Sequence, residues 1–182
     1  MVVILLGTGF EEAEALVPAD LMRRAGIEVV LTSVTDHLEV TGGHGITVKA
    51  DRRLSKIAPG NVDLVMLPGG LGGVRAILYC PAALDLVKAV HAGGAPVAAI
   101  CAAPTVLAKL GLLNGRKAVC YPGMEDQLTG ALPQVGSPVV VDGAVITGEA
   151  AGSAFDFGLK LIEILRGKGD ADKVRNGVHY HG

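Results

Sequence analysis

The fold of this chain is decided by the stretch Pro96-Val97-Ala98-Ala99-Ile100-Cys101-Ala102-Ala103-Pro104. The apolar run before Cys101 is typical of a short strand that is buried on both faces. The residues Ala102–Leu110 predict a helix that follows at once. A polar, polarisable side chain at this junction, with Ala99 and Ala103 two residues to either side, indicates a sharp strand-to-helix turn. Such a turn, the nucleophile elbow, needs small neighbours.

Cys101 is therefore a candidate nucleophile. A helix that begins beside it directs N–H groups and the positive end of its dipole at the sulfur. This arrangement lowers the pKa of a thiol and favours the thiolate. The alternative is that Cys101 is a small buried hydrophobe, because free cysteine often fills a core. The local sequence leaves both interpretations open.

The composition indicates a globular protein and excludes several classes of partner. A length of 182 residues favours one domain, residues 1–182, with a substantial core. Half of the residues are hydrophobic and the formal net charge is only -2, so we expect neither disorder nor binding to nucleic acid or to a membrane. The charge-free stretch Ala89–Ala108 is interrupted by glycine and proline, and a turn before a buried strand explains it better than a membrane span.

Cysteine usage indicates a reducing compartment. The three cysteines, Cys80, Cys101 and Cys120, are an odd number, are widely spaced and form no CxxC pair. We therefore expect neither a disulfide framework nor a metal cage, and we predict a cytoplasmic protein without a metal or a cofactor. The first residues lack the basic segment of a signal peptide. Cys80 and Cys120 are interpreted as structural.

Apolar runs alternate with helical patterns along the chain, which predicts a doubly wound α/β fold with a mainly parallel central sheet and helices on both faces. Ligands of such folds bind outside the carboxyl ends of the strands. Three segments meet at that edge: Gly7–Glu14, Pro68–Gly73 and Cys101–Pro104. The predicted strands are Val2–Leu6, Glu28–Val34, Val62–Leu67 and Val97–Ile100. Two hairpins are predicted, Leu38–Val40 with Ile46–Lys49 and Val139–Asp142 with Ala144–Thr147. The predicted helices are Glu11–Ala25, Ala82–Ala92, Ala102–Leu110 and Ala151–Leu165.

The first of these segments carries three glutamates, Glu11, Glu12 and Glu14. A carboxyl group beside Cys101 in a dry pocket can stay protonated, donate a hydrogen bond to a thiolate and then carry a proton. The alternative is that the three carboxylates only complement the positive end of the helix dipole.

The second segment, Pro68-Gly69-Gly70, brings bare backbone close to the sulfur. The N–H groups of Gly70 and of Ala102, the residue after the cysteine, are predicted to form an oxyanion hole. The alternative is an ordinary tight turn between a strand and a helix. The segment lacks the glycine spacing and the lysine of a phosphate loop, so a nucleotide site is not expected.

Five segments carry a resemblance, namely Phe10–Glu14, Met22–Gly26, Leu67–Gly70, Ala98–Pro104 and Phe155–Gly158. Together they resemble the ThiJ/PfpI superfamily, in the branch of the parkinsonism-associated protein deglycase and its bacterial relatives. The resemblance extends over nearly the whole chain, from about Val3 to Leu165. A glutamate loop and a cysteine elbow in the same chain are specific, whereas either one alone would not be.

The resemblance implies a flavodoxin-like sandwich, a homodimer, and Cys101 as a reactive, oxidisable thiol that Glu14 contacts. It also implies a cofactor-independent enzyme, a glyoxalase III-like lyase or a deglycase hydrolase. Such an enzyme converts small 2-oxoaldehydes, methylglyoxal or glyoxal, to 2-hydroxy acids through a cysteine hemithioacetal. The alternative is a redox-sensing stress-response protein or chaperone that acts through oxidation of Cys101. A third possibility is a binding module that keeps the fold without the chemistry.

Several positions near the expected pocket depart from the family pattern. Tyr121 stands where many relatives have a histidine, and a phenol with an unperturbed pKa of about 10 is a poor base at neutral pH. His44 replaces an arginine, and Glu149 reverses a charge near the expected pocket mouth. With Gly69, these residues are the possible pocket lining. Ala102 stands where the peptidase branch has histidine, which disfavours a peptidase or an amidotransferase.

Overall fold

A seven-stranded sheet lies at the centre of the computed structural model, which describes residues 1–182. The strands of the chain are β1 (Val2–Leu6), β2 (Val29–Ser33), β3 (Glu39–Thr41), β4 (Thr47–Lys49), β5 (Arg52–Arg53), β6 (Leu64–Leu67), β7 (Val97–Ile100), β8 (Lys117–Ala118), β9 (Leu132–Pro133), β10 (Val139–Asp142) and β11 (Val145–Gly148). The central sheet has the order β10–β11–β7–β6–β1–β2–β5. Every neighbouring pair in it is parallel except β10 with β11.

Helices cover both faces of this sheet, because successive side chains of a strand point to opposite sides. In β1, Val2, Ile4 and Leu6 join one apolar core, while Val3 and Leu5 join the other. The helices are α1 (Glu12–Arg24), α2 (Leu71–Leu78), α3 (Pro81–Ala92), α4 (Pro104–Lys109), α5 (Ala154–Arg166) and α6 (Lys168–Gly177). The first core takes residues from α1, α5 and α6, and the second takes residues from α2, α3 and α4. No helix is both long enough and apolar enough to cross a membrane.

The structure confirms the doubly wound α/β fold predicted from the sequence. Both predicted hairpins form, since β3 pairs with β4 and β10 pairs with β11, each pair antiparallel. The helix predicted for Ala102–Leu110 is shorter and begins at Pro104, because Ala102 and Ala103 belong to the turn itself.

Two helices, α2 and α6, were not predicted. Gly72 and Gly73 lower the helical propensity of α2, which hid this helix in the sequence. Both positions need glycine, because a side chain at either one would collide with the loop after β1. A Cβ at Gly72 would lie 2.9 Å from the Cα of Gly9, and one at Gly73 would lie 2.7 Å from the Cα of Phe10. In α6 only two residues are buried, so its sequence shows no clear apolar stripe.

The strand order places three loops at one crevice. The chain runs from β1 to β2 on one side of β1, and later to β6 and β7 on the other side, so the order reverses beside β1. Ligands of open α/β sheets bind at such a point, outside the carboxyl ends of the strands. The loops after β1 and β6 are joined there by the N–H of Glu11, which donates to the carbonyl of Gly69 at 3.0 Å.

The crossing of α1 and α5 provides a test of the packing. A Cβ at Gly158 would lie 2.9 Å from Leu21 Cδ1 and 3.0 Å from the Cα of Pro18. We expect Gly158→Ala to lower the free energy of unfolding by about 1–3 kcal/mol, because the added methyl group overpacks the crossing. Urea denaturation measures this change.

Gly169→Ala is the matched control, because Gly169 lies in α6 and a Cβ added there would meet nothing within 4 Å. Alanine at this position should raise the free energy of unfolding by about 0.5–1 kcal/mol, since it favours the helix. Equal effects of the two substitutions would contradict the described packing.

Candidate active site

The backbone of Cys101 adopts the left-handed conformation that the elbow requires, with φ 65°. L-residues with a side chain rarely adopt this conformation, because the Cβ crowds the backbone. Neighbouring backbone holds it in place. The N–H of Cys101 donates to the carbonyl of Gly148 at 3.0 Å, and the carbonyl of Cys101 accepts the N–H of Tyr121 at 2.8 Å. The half-buried thiol thus lines the crevice at the end of β7.

Glu14 is the glutamate that the structure brings to this cysteine. It lies on the first turn of α1, is only 1% exposed, and its Oε2 accepts the N–H of Gly69 at 2.8 Å. Gly69 packs against both side chains, because a Cβ at this position would overlap the Glu14 carboxyl group and lie 3.1 Å from Cys101 Sγ. Glycine at position 69 is therefore what allows the carboxyl group and the thiol to meet.

The backbone N–H groups of Gly70 and Ala102 lie close enough to the Cys101 sulfur to lower the pKa of the thiol, although burial outweighs them. Neither donates to a backbone carbonyl. Gly70 has a positive φ of 80°, and a Cβ there would lie 2.5 Å from the backbone N of Glu11, so this position also needs glycine. The two N–H groups are the candidate donors of the oxyanion hole predicted from the sequence, because N–H groups beside a nucleophile can reach the oxygen on which charge develops during attack.

The pKa values of Glu14 and Cys101 are both raised, and burial is the main cause. Burial raises the pKa of Glu14 to about 7, although the Cys101 side chain and the Gly69 N–H act in the opposite direction. Burial, followed by the charge of Glu14, raises the pKa of the Cys101 thiol to about 12. The prediction that the helix favours a thiolate is therefore wrong, because α4 begins only at Pro104 and the N–H groups near the sulfur do not outweigh burial.

The thiol and the carboxyl group titrate as a pair. Between the two raised pKa values the pair retains one proton, and the higher pKa of Cys101 keeps this proton on the sulfur while Glu14 is ionised. A carboxylate with a pKa near neutral is well suited to accept a proton from an attacking thiol and to return it later. The Glu14 carboxyl group is therefore a candidate proton acceptor for Cys101.

The thiol opens into a cleft of about 420 Å³. Tyr121 lines it and is half exposed. Leu71, Pro122 and Met124 were not predicted, although Leu71 lies within the Pro68–Gly73 segment and the other two closely follow Tyr121. The full lining is Glu11, Gly70, Leu71, Cys101, Ala102, Tyr121, Pro122 and Met124.

His44, Glu149 and Gly69 do not line this cleft, contrary to the prediction from the sequence. Gly69 packs behind the sulfur, as described above. The His44 side chain is 69% exposed, and its Nδ1 lies 3.0 Å from Glu12 Oε2 and 3.5 Å from Glu11 Oε1. The charge at the mouth of the cleft is therefore that of Glu11 rather than that of Glu149.

Glu12 holds the hairpin loop that carries His44, a role the sequence did not reveal. Its Oε1 accepts the N–H groups of His44 at 2.8 Å and of Ile46 at 3.3 Å. Burial alone would raise the pKa of Glu12, but the hydrogen bonds from the His44 ring and from backbone N–H groups lower it to about 2. Residues two apart point to different sides of a helix, so Glu12 and Glu14 face different partners.

One cluster of side chains could hold a metal ion, that of Glu11, Glu12 and His44, whose candidate ligand atoms lie within 4.8 Å of one another. Both carboxylate oxygens of Glu12 already accept hydrogen bonds from the His44 loop. The cluster is therefore explained as an ion-pair network that fixes the loop.

The other two cysteines lie outside the cleft. Cys120 is buried, and its pKa is raised to about 11, mainly by burial and further by the charges of Glu125 and Asp126. Cys80 is half-buried at the N-terminus of α3, where its Sγ lies 3.9 Å from the carbonyl oxygen of Val34.

A doubly wound sheet with a cysteine elbow opposite a buried carboxyl group defines a class of α/β proteins, and comparison with known families identifies the class. The model of the DJ-1/PfpI family matches residues 1–164. The chain belongs to the DJ-1/PfpI family, which confirms the resemblance seen in the sequence.

Similar proteins cover nearly the whole chain. Protein dj-1beta of Drosophila melanogaster is 39% identical over 176 residues, which are 96% of this chain and 94% of the relative. A deglycase of Pyrococcus abyssi is 32% identical over 166 residues, or 91% and 99% of the two chains. Among solved structures, Drosophila DJ-1beta and an oxidized DJ-1 of Toxoplasma gondii each superpose with a TM-score of 0.95 at 37% identity, over 100% of this chain and 98% of theirs.

The pKa of Glu14 predicts a stability difference that depends on pH. Because folding raises this pKa from 4.5 to about 7, the stabilisation is complete below pH 4.5 and is lost as the pH rises through 7. Glutamine stays neutral at every pH, so the variant does not lose this stabilisation. We therefore expect the free energy of unfolding of Glu14→Gln, measured relative to that of the wild type, to be higher above pH 7 than at about pH 4 by roughly 3 kcal/mol. Urea denaturation at both pH values tests this, and a difference that does not change with pH would contradict it.

Glu12→Gln should show the opposite pH dependence. Because folding lowers the pKa of Glu12 from 4.5 to about 2, its stabilisation is complete above pH 4.5 and is lost as the pH falls through 2. We expect this variant to be less stable than the wild type by about 1.5–3 kcal/mol at neutral pH, because charged hydrogen bonds are lost. The same denaturation series measures it, and a deficit that grows toward low pH would refute the assigned role.

Proposed function

We propose that this protein is a cofactor-independent enzyme that converts small 2-oxoaldehydes, methylglyoxal or glyoxal, to 2-hydroxy acids through a hemithioacetal on Cys101. One observation carries the proposal. The Cys101 thiol and the Glu14 carboxyl group flank Gly69, while the N–H groups of Gly70 and Ala102 lie near enough to the sulfur to lower the thiol pKa. This arrangement supports the roles of nucleophile for Cys101, of base for Glu14 and of oxyanion hole for the two N–H groups.

In the first step, Glu14 takes the thiol proton as the sulfur attacks the aldehyde carbon. The S–C bond forms, the carbonyl π bond breaks, and the oxygen becomes an oxyanion that the N–H groups of Gly70 and Ala102 stabilise. Glu14 then returns the proton to this oxygen, which completes the hemithioacetal. The pKa of about 7 allows the carboxyl group to accept and donate at neutral pH.

In the second step, Glu14 removes the C–H proton of the former aldehyde carbon, which gives an enediolate. The hydroxyl proton moves to the neighbouring oxygen, and Glu14 delivers its proton to the neighbouring carbon, so that the former aldehyde carbon becomes a carbonyl. The product is a thioester of the 2-hydroxy acid on Cys101. Water then cleaves the thioester, releases the acid and restores the thiol. The oxidation of one carbon balances the reduction of its neighbour, so the sequence needs no external oxidant or reductant.

The names of relatives support enzymatic activity of this general kind. The relatives from Pyrococcus abyssi and Pyrococcus horikoshii are named deglycases and share 32% and 31% identity with this chain. Hydrolytic removal of an aldehyde adduct would use the same thiol and the same base.

The homodimer and the cytoplasmic location stay predictions.

A redox role for Cys101 is a second candidate. The two N–H groups at the sulfur would donate hydrogen bonds to the oxygens of a sulfinate as readily as to a substrate oxyanion. One similar structure is that of an oxidized DJ-1 from Toxoplasma gondii. The Glu14 carboxylate can take the thiol proton as peroxide reacts with the sulfur, which offsets the raised pKa of the Cys101 thiol. Mild peroxide followed by mass spectrometry should therefore oxidise Cys101 before Cys80 and Cys120, and equal oxidation of the three cysteines would count against this role.

Turnover of methylglyoxal, followed by NMR in an amine-free buffer, tests the proposed enzyme. We expect Cys101→Ala to abolish lactate formation, and Glu14→Gln to lower kcat/KM by about 10²–10⁴-fold, because general acid–base catalysis contributes a factor of this size. Cys80→Ser is the matched control, since it removes a half-buried thiol outside the cleft. Equal turnover by the wild type and both site variants would refute the proposal.

A further inference from the structure

The cleft above Cys101 contains a single charged side chain, that of Glu11. The other lining residues are apolar, glycine or alanine, apart from Cys101 itself and Tyr121. We propose that Glu11 is a specificity-determining residue that admits neutral and cationic aldehydes and rejects anionic ones, such as an aldehyde that carries a carboxylate. This inference rests on the proposed function, because it names the class of substrate that the same site accepts.

Glu11 is held firmly at the edge of the reacting groups. Its backbone N–H donates to the carbonyl of Gly69 at 3.0 Å, and its backbone N would lie 2.5 Å from a Cβ built at Gly70. The loop that carries Glu11 is thus joined to the segment that supplies the oxyanion hole. Its side chain is 23% exposed, so the carboxylate lies at the rim of the cleft and is partly shielded from solvent.

The alternative role of this glutamate, as a helix cap, does not account for its position. Glu11 is the N-cap residue of α1, but its side chain makes no capping hydrogen bond. Its one ion-pair partner is His44, whose Nδ1 lies 3.5 Å from Glu11 Oε1 and closer still, at 3.0 Å, to Glu12 Oε2. The carboxylate of Glu11 therefore remains available to a molecule in the cleft.

His44 does not cancel the negative charge at this rim. With a protonated His44, the three side chains Glu11, Glu12 and His44 sum to one negative charge, and with a neutral His44 they sum to two. The charge of Glu11 also contributes to the raised pKa of Glu14, so its field reaches the reacting pair. No cationic side chain lines the cleft, and the N–H groups of Gly70 and Ala102 lie beside the sulfur, where the reacting aldehyde oxygen would occupy them. The carboxylate of an anionic aldehyde would therefore meet the repulsion of Glu11 without a cationic partner.

Charged thiol reagents measure this selectivity without requiring any turnover. Three methanethiosulfonates of similar size are used, carrying a hydroxyethyl, a trimethylammonioethyl or a sulfonatoethyl group. In each case the sulfur of Cys101 forms a disulfide and a sulfinate leaves. Rates at Cys101, followed by mass spectrometry, are divided by those of 2-mercaptoethanol in the same buffer, which removes the intrinsic reactivity of each reagent.

At neutral pH and low ionic strength we expect the cationic reagent to be about fivefold faster than the neutral one, and the anionic reagent about fivefold slower, as one partly screened charge implies. Glu11→Gln should bring both ratios clearly closer to one, while the negative charge of Glu14 beside the sulfur keeps a residual preference for the cationic reagent. Glu149→Gln is the matched control, because it removes the same charge outside the cleft and should leave both ratios in place. Ratios that are the same in Glu11→Gln and in the wild type would overturn the inference.

Salt provides a second readout that needs no variant. Raising the ionic strength from about 0.01 M to about 1 M should shrink both ratios in the wild type, since a charge at a partly exposed rim is screened. Ratios that do not change with ionic strength would overturn the inference as well. Wild-type turnover of methylglyoxal by the Cys101 and Glu14 variants would refute the proposed enzyme. Reagent ratios that do not depend on Glu11 would refute the charge selection. The two proposals can therefore fail independently.

Discussion

The left-handed backbone at Cys101 is the constraint on which the rest of the site depends. An L-residue in this region costs about 1–3 kcal/mol and persists only where its surroundings fix it. Here the carbonyl of Gly148 and the N–H of Tyr121 supply the two backbone hydrogen bonds that hold the turn. Because β7 ends at this turn, the sulfur of Cys101 lies at the carboxyl edge of the sheet, beside the loops after β1 and β6. The residue with the strained backbone is therefore also a residue that lines the cleft.

Two glycines and the first turn of α1 position the other groups around the thiol. Gly69 leaves room for the Glu14 carboxyl group to meet the thiol, and Gly70 lets its own backbone approach the loop that carries Glu11. On α1, Glu12 and Glu14 are two residues apart and face different partners, which is why folding lowers the pKa of one and raises that of the other. Burial of Glu14 opposes stability at neutral pH, and the same burial gives it the pKa of a useful base.

Sequence patterns predicted the frame of the site better than its electrostatics. Small residues beside Cys101 and alternating apolar runs were enough to predict the elbow and the doubly wound sheet, and the family resemblance added the meeting of Glu14 with the thiol. The raised thiol pKa was not predictable, because it arises from burial and from the charge of Glu14, which only the folded chain brings near. Helix α2 was missed for a related reason, since Gly72 and Gly73 are required by contact with a distant loop and mask the helical pattern.

We expect the Cys101 thiol and the Glu14 carboxyl group to act as one coupled pair. The pH dependence of Cys101 alkylation by the neutral reagent iodoacetamide, measured for the wild type and Glu14→Gln, tests this coupling most directly. Because Glu14 can accept the thiol proton only once it is ionised, the rate in the wild type should rise through an inflection near pH 7, and the variant should lose this inflection. A single inflection near the ordinary thiol value of about 8.5 in both proteins would contradict it.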